Sequence, residues 1–486
     1  MKDIVLYSIS GLIIYFILLM LLVIKFNKSK NLEEYYMGGR SLSFWVLSLT
    51  FIASWWGAGS ALSTADLAFT DGISAYWIYG MPVLISTIFM ALLAKRIRRI
   101  PVMTQPEMIA LRYGRFSSIL VSIVVYLFMM LSAASQMVGI GLFFTGFLGL
   151  NYETGVIAGT FIVLSYSLFS GFKGVVFTDV LQFFFLTLSA IYVCYTGYIS
   201  GGDIESIREI VSARQEEHFF DFTYNLSGNL VYVFTFGAAW MIQANVWQRI
   251  MATRNVNDAY KMTMLSLIIY IPLYAIAVFT GMVAIPIYDQ LPEGGIIPAL
   301  TRDFMSPFMG AVIFIGICSA IMSTMDSLIN TGSLILTKDI YVNQINPRSD
   351  QRKVVRAGII STFITTLIAL AIALRLRSIL EVSWIAADIL ATGCFIPIVG
   401  GFFWRRATHS GAIASILFGM LFSFYNLFIQ LGVKLPAFWQ HNSVYQLLYG
   451  MSFSFFLYIF VSLLSKPEYK KADEYISFSR ENKSKE

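Results

Sequence analysis

Long apolar stretches separated by short polar ones dominate this chain. Residues 6–24 form one such stretch, and another opens at 119–131. A run of about 20 apolar residues can cross the hydrocarbon core of a bilayer as a helix. These runs are too long for barrel strands, and a helix satisfies its own backbone polar groups in lipid. The pattern therefore predicts an all-α polytopic membrane protein.

The boundaries of the stretches predict thirteen transmembrane helices. An odd number places the termini on opposite sides, and cytoplasmic loops should be rich in Lys and Arg. Most of the 34 Lys and Arg residues fall inside if the N-terminus is outside, which predicts an N-out, C-in topology. The transmembrane domain covers 1–465 and a charged cytoplasmic tail covers 466–486. The predicted helices are 3–25, 43–70, 73–94, 117–147, 152–170, 174–198, 228–250, 258–286, 306–336, 354–374, 379–404, 409–432 and 444–465.

Two of the predicted helices carry residues that favour local unwinding. The second contains two glycines and two serines within residues 53–60, and the seventh contains a similar segment at 236–245. Transporters often place interrupted helices at matching positions of two inverted repeats. The five-helix spacing predicts repeats at 43–198 and 228–404, preceded by helix 3–25 and followed by 409–465. The alternative is that the small residues serve only close helix packing.

Composition agrees with a membrane location and excludes several functions. The chain is 57% hydrophobic and 13% charged, whereas a soluble domain carries about 25% charged residues. Three cysteines within apolar stretches do not indicate a disulfide framework. The net charge of +6 comes from loops between helices, so we do not infer nucleic-acid binding. No nucleotide-binding loop, zinc-protease motif or nucleophile elbow is present, so we predict neither an ATP-driven pump nor an enzyme. A transporter-like sensor stays open.

Carboxylates inside predicted membrane helices mark candidate functional sites, because burying an ionisable group in a bilayer costs at least about 2.5–3.5 kcal/mol. Asp66, Asp179 and Asp326 qualify. Asp326 follows Ser323 and Thr324, which supply the hard oxygen ligands that sodium requires. These hydroxyls would alternatively bond to carbonyls one helical turn earlier. Asp66 lies near the exterior end of its helix, where it would alternatively face an aqueous vestibule.

Several short motifs, taken in order, resemble the sodium:solute symporter family. They are YYMGGR at 35–40, the segment that starts at 53, GFKG at 171–174 with TDVLQ at 178–182, QR at 248–249, and AIMST at 320–324 with TKDIY at 337–341. The family includes proline, pantothenate, sugar, sialic-acid and choline carriers. The resemblance implies thirteen helices with an inverted five-plus-five core in the plasma (inner) membrane. It also implies sodium-coupled symport of a small organic solute, such as an amino acid or a carboxylate, into the cell by alternating access.

The resemblance also implies where sodium binds. A second sodium is expected only in some family members, and Asp326 stands where several of them have Ser or another neutral residue. Its added carboxylate would either strengthen a second cation site or bind a proton. The first site maps onto Ala53, Trp56, Ala320, Ser323 and Thr324. The second maps onto Asp179, Ser323, Asp326 and Ser327.

The solute is less well determined. The segment from Ala53 to Asp66 looks most like the choline-carrier branch, and a tryptophan face can bind a quaternary ammonium. However, Gln243 and Ser132 stand where that branch has aromatic residues, so a choline carrier is the alternative to another small solute. The candidate substrate-binding residues, each of which would otherwise be a packing residue, are Trp55, Gln136, Trp240 and Gln243.

Overall fold

A computed structural model describes residues 2–26, 31–201, 203–430, 433–434, 436 and 443–479. Over these residues the architecture is entirely helical, as the apolar pattern predicts. The described part contains no strand, and its one β-type pairing is an isolated bridge between Leu42 and Thr253.

The N-terminal half carries the extra first helix and the first predicted repeat. Short 3₁₀ turns lie at Gly38–Arg40 and Gly72–Trp77, and a π-helical segment lies at Gly59–Ser63. The α-helices are α1 Lys2–Phe26, α2 Leu32–Met37, α3 Phe44–Ala53, α4 Thr64–Asp71, α5 Gly80–Arg99, α6 Gln105–Tyr113, α7 Arg115–Leu148, α8 Tyr152–Gly201 and α9 Ile204–Ala213.

The C-terminal half carries the second predicted repeat and the last helices. π-helical segments follow α10, α15 and α17, at Val233–Gly237, Ile335–Ile345 and Ala391–Phe395, and a 3₁₀ turn at Glu217–Phe220 precedes α10. The α-helices are α10 Leu226–Tyr232, α11 Ala238–Met241, α12 Ala244–Met251, α13 Val256–Met282, α14 Ile296–Phe304, α15 Pro307–Leu334, α16 Gln351–Ala373, α17 Ile379–Leu390, α18 Ile396–Phe403, α19 His409–Gln430, α20 Ser443–Leu464 and α21 Tyr469–Ser479.

The helices that are long and apolar enough to cross a bilayer do not by themselves give the predicted count of thirteen. Within the described residues, 10 helices are long and apolar enough to cross a bilayer, or up to 11 if one bent pair is a single span. Two of them are very long: Gly59–Arg99 has 41 residues and α8 has 50. At about 1.5 Å per residue, α8 would be about 75 Å long, against a hydrocarbon core of about 30 Å. The predicted count of thirteen divides each of these two long segments into two membrane helices, and it stays a prediction.

Gly171 breaks α8 at the predicted boundary between the fifth and sixth helices. Its φ of 50° lies in the left-handed region, which glycine enters without a Cβ penalty. A Cβ here would lie 3.2–3.3 Å from the ring and carbonyl of Tyr35. Both the backbone conformation and the lack of space therefore require glycine at this bend.

Burial separates a central helix from peripheral ones. The most apolar window of Pro307–Ile345, which contains α15, is 78% buried, whereas those of α1 and α20 are each 28% buried. Helix α15 packs against α8, α7, α1 and α16. The helices expected outside the repeats therefore expose most of their surface, and α15 brings its polar residues to the centre.

The described part of the charged tail docks onto the transmembrane helices. Helix α21 buries Tyr475, whose ring lies 5.6 Å from that of Phe402. Asp473 forms a salt bridge with Arg405, with 2.5 Å between Oδ1 and Nε. Helix α21, the described part of the predicted charged tail, packs on the transmembrane helices because Ala472, Tyr475 and Ile476 share its buried face.

Candidate functional site

The first predicted interruption is present between α3 and the helical segment that starts at Gly59. Helix α3 begins with Ser43 as its N-cap and ends at Ala53. Residues 54–57 leave the regular helix, and the hydroxyl of Ser60 donates to the carbonyl of Trp55 at 3.1 Å. Backbone carbonyls near residue 53 consequently become available to side chains of other helices.

The second interruption lies opposite the first. The apolar segments Leu226–Met241 and Ala244–Met251 are bent by 43°. Asn245 Nδ2 donates to the carbonyl of Ser54 at 3.4 Å, and Trp55 Nε1 donates to Gln243 Oε1. The rings of Trp55 and Trp240 are 5.9 Å apart. The two interrupted helices therefore meet, as the repeat interpretation requires.

Hydroxyls of α15 converge on the carbonyl at the end of α3. Ser323 Oγ lies 2.9 Å and Thr324 Oγ1 lies 3.1 Å from the Ala53 carbonyl oxygen. The same hydroxyls lie 3.0 and 3.2 Å from the carbonyl oxygen of Ala320. Four of the five residues expected at the first sodium site are thus in direct contact. These are the hard oxygen donors suited to alkali and alkaline-earth cations.

Trp56, the fifth residue, lies beside this cluster. It is only 1% exposed, and its ring packs 4.8 Å from that of Tyr274. Trp56 and Ala320 also line one small apolar cavity. The structure therefore places Trp56 in the right neighbourhood, and its carbonyl as a ligand stays a prediction.

A central cavity lies between the two interruptions. Its volume is small, about 50 Å³. All four predicted substrate-binding residues line it, and none of the lining residues in the described part is charged. The lining consists of Trp55, Gly57, Gly59, Ser60, Tyr79, Val83, Ser132, Ser135, Gln136, Trp240, Gln243, Thr324, Leu328 and Ser383.

Gln136 joins the cavity to the broken helix. Its Oε1 accepts a hydrogen bond from the backbone N–H of Ala58 at 2.8 Å. A Cβ on Gly57 would lie 2.2 Å from that oxygen and 2.9 Å from Thr324 Oγ1. A side chain at residue 57 would therefore displace Gln136 and Thr324. Thr324 contacts the Ala53 carbonyl and also lines the cavity, so the candidate ion site and the cavity share a residue.

A family model for known proteins covers most of this chain. Residues 35–419 match the model described as "Sodium:solute symporter family". The chain belongs to the sodium:solute symporter family. It is accordingly a sodium-coupled symporter for a small solute, and a membrane transporter rather than an enzyme.

Relatives of this symporter include proline and sugar carriers. It is 26% identical to the sodium/proline symporter of Haemophilus influenzae, over 95% of each chain. It is 26% identical to the high-affinity proline transporter PutP of Bacillus subtilis, over 91% of this chain and 94% of the relative. It is 24% identical to the sodium/glucose cotransporter of Vibrio parahaemolyticus, over 95% and 90%. The choline alternative receives no support from these relatives.

Solved structures show the same fold. A Na⁺-coupled sialic acid symporter in a substrate-bound outward-open state superposes with a TM-score of 0.82 at 16% identity, covering 95% of this chain and 98% of that one. MHP1, a nucleobase-cation-symport-1 family transporter in a closed conformation, gives a TM-score of 0.56 at 10% identity, covering 91% and 98%. The symporter thus shares a repeat fold with other membrane symporters.

The second set of predicted sodium ligands surrounds an arginine. Asp179 Oδ2 lies 3.0 Å from Arg249 Nη2 and also accepts from the hydroxyl of Thr50. Arg249 Nη2 donates to Ser327 Oγ at 2.6 Å, and its Nη1 donates to the Asn245 carbonyl at 2.9 Å. Asp179 and Arg249 are 0% and 1% exposed. The guanidinium therefore balances Asp179, and a second sodium there stays a prediction.

Asp326 makes its hydrogen bond outside this ion pair. Its Oδ1 accepts from the hydroxyl of Ser167 at 2.5 Å, and its buried Oδ2 has no hydrogen-bond partner among the described residues. Asp66 has a different role, because its Oδ1 accepts from the backbone N–H of Ile296 at 2.8 Å, at the start of α14. The structure therefore does not bring Asp326 and Asp179 onto one shared contact.

Two buried charged residues were missed or misplaced by sequence reasoning. The topology prediction counted Arg249, at the inner end of predicted helix 228–250, among the cytoplasmic charges, but α12 buries it. Asp388 was not noticed, although it is a carboxylate within the predicted helix 379–404 and is 6% exposed. The signal that singled out Asp179 also applies to Asp388.

Proposed function

We propose that the symporter carries a small zwitterionic amino acid, with proline as the first candidate, into the cell together with sodium. The observation that carries this proposal is the position of Thr324, which contacts the Ala53 carbonyl and lines the central cavity. An ion held at Ala53, Ala320, Ser323 and Thr324 would draw α3 and α15 together and so complete the cavity. A ligand shifts a conformational equilibrium only through its different affinities for the two states.

The lining of the cavity suits a solute that has separated charges but little net charge. The helical segment that starts at Gly59 directs the positive end of its dipole towards the break, which favours a solute carboxylate beside Gly57 and Gly59. Side-chain oxygens of Ser132 and Gln136 are available for an ammonium group. A cavity without charged side chains avoids a net charge mismatch on binding.

The aromatic part of the cavity suits the apolar side of the solute. Trp240 stacks on Phe236 with ring centroids 4.8 Å apart and on Tyr79 at 5.9 Å, which fixes its plane. Trp55 is held by its hydrogen bond to Gln243. Rigid tryptophan faces bury apolar area at a low cost in conformational entropy. Proline carriers among the relatives support this solute class.

Uptake of radiolabelled proline into proteoliposomes tests the proposal. One sodium moving through 100 mV with a tenfold gradient supplies about 3.7 kcal/mol, enough for roughly 500-fold accumulation of a zwitterion. We expect accumulation with a sodium gradient and none with potassium. Unlabelled proline should compete, and proline methyl ester, which lacks the carboxylate, should not.

Two results would contradict the proposal. If glucose or sialic acid competes for binding and proline does not, the solute class is wrong. If sodium-dependent binding occurs without uptake in vesicles that hold a stable gradient, the chain acts as a sensor. Liposomes without protein serve as the transport-negative control.

A further inference from the structure

A second polar cavity lies between α17, α19 and α20. Asp388 of α17, Ser423 and Asn426 of α19, and Gln446 of α20 line it, with Trp384 at its edge. It holds about one water-sized particle. Ser383, which lines the central cavity, lies on the same helix as Asp388, so the two cavities are separate but neighbours.

Polar atoms in this cavity have no partner within the described residues. Asp388 Oδ1 and both amide atoms of Asn426 are buried and form no hydrogen bond. The two side chains are 6% and 2% exposed. A buried polar group without a partner costs about 1–3 kcal/mol, and a buried charge costs more. Two of these atoms, Asp388 Oδ1 and Asn426 Oδ1, are acceptors that a bound cation would complete, whereas the donor Asn426 Nδ2 takes no part in such a site.

The chemistry of the lining selects a cation. A carboxylate, two amides and a hydroxyl offer hard oxygen atoms, and no sulfur or imidazole nitrogen lines the cavity. No Lys or Arg of the described chain forms a salt bridge with Asp388. One carboxylate balances one positive charge, whereas a divalent ion would leave a net charge in a low-dielectric interior.

The backbone beside Asp388 is adapted to this site. The π-helical segment Ala391–Phe395 begins three residues later, and such segments are frequent at functional sites. Thr392 Oγ1 lies 2.6 Å from the Asp388 carbonyl oxygen and 2.6 Å from Ser423 Oγ. These contacts fix α17 against α19 and hold the carboxylate at the cavity.

We propose that Asp388, Ser423, Asn426 and Gln446 form a binding site for one alkali-metal cation, separate from the Ala53–Ser323 site. The ion neutralises Asp388 and ties α17 to α19 and α20. Helix α17 also holds Trp384 against Phe236, at 5.7 Å between ring centroids. Occupancy of the site therefore adjusts the wall of the central cavity. This inference goes beyond the proposed function and does not depend on the identity of the solute.

Binding of radioactive sodium to the purified symporter, without solute, tests the proposal. Radioactive rubidium in a parallel assay distinguishes a potassium-type site from a sodium site. In a variant that carries Ser323→Ala and Thr324→Ala, we expect one saturable component of cation binding to remain. Adding Asp388→Asn should remove it, and adding Asn426→Leu should weaken it at least about tenfold. Asp66→Asn, the same change at a partly buried carboxylate elsewhere in the protein, should leave it intact.

Several outcomes would overturn the proposal. The site is excluded if the Asp388→Asn and Asn426→Leu variants bind cations as well as the Asp66→Asn control does. A proton taken up by Asp388 without any change in sodium or rubidium binding also excludes it. If Asp388→Asn does not fold, the neutral Asn426→Leu variant decides. Proline uptake by Asp388→Asn and Asn426→Leu made in the wild-type background separates this result from the proposed function, because the Ala53–Ser323 site is intact in those variants.

Discussion

Removing both α15 hydroxyls should sharply raise the sodium concentration that the symporter needs. The perturbation is Ser323→Ala together with Thr324→Ala. Each hydroxyl lies within 3.2 Å of two carbonyl oxygens, those of Ala53 and Ala320. The double variant therefore removes two oxygen donors from one cluster and leaves the backbone carbonyls in place.

The size of the effect follows from these contacts. An interaction between a polar group and a charge contributes about 1.5–3 kcal/mol, so two lost ligands sum to about 3–6 kcal/mol. Water entering the space of the hydroxyls recovers part of this, which favours the lower end. About 3 kcal/mol corresponds to a rise of roughly 100-fold in the half-saturating sodium concentration.

The assay is sodium-dependent uptake into proteoliposomes, paired with direct binding of radioactive sodium. Ser319→Ala is the matched control, because Ser319 lies on the same helix and its hydroxyl bonds to Tyr15 on α1, at 2.9 Å. The control should retain wild-type sodium dependence. An unchanged half-saturating concentration in a folded double variant would refute the assignment of the site.

Three further substitutions test other parts of the structure. Arg249→Gln leaves the buried Asp179 uncompensated and should destabilise the protein by about 3–5 kcal/mol. The double variant Arg249→Gln/Asp179→Asn should regain part of this stability in thermal unfolding. Equal stability of the single and double variants would contradict the pairing. Gly57→Ala should abolish uptake although the protein is present at normal levels. Gly237→Ala, whose added Cβ would have its nearest neighbour at 3.8 Å, should transport normally. Uptake by Gly57→Ala would show that the cavity is not the solute path. Trp55→Phe replaces the indole by a smaller aromatic ring and loses the hydrogen bond to Gln243, which contributes about 1–1.5 kcal/mol. The half-saturating solute concentration should therefore rise about 5–12-fold while sodium binding persists, and an unchanged value would remove this residue from the solute site.

Much of the candidate site could be predicted because its signals are local. Oxygen-bearing residues crowd one stretch of α15, and glycines interrupt an apolar run near residue 57, so both features are visible without any fold. Their contact was expected only from the family resemblance. The partners of Asp179 and Asp326 could not be predicted, because Arg249 and Ser167 approach them from other helices and no spacing along the chain encodes that approach.

The sequence alone determined that this is a helical membrane protein, where its apolar segments lie and which residues interrupt them, because bilayer thickness and backbone hydrogen bonding act on each segment separately. The tertiary structure decided which charge compensates which. In it, Arg249 is buried against Asp179, α21 packs on the transmembrane helices, and Asp388 and Asn426 line one enclosed cavity. These outcomes depend on how distant helices pack, and a helix encodes its own apolar face but not the neighbour that will cover it.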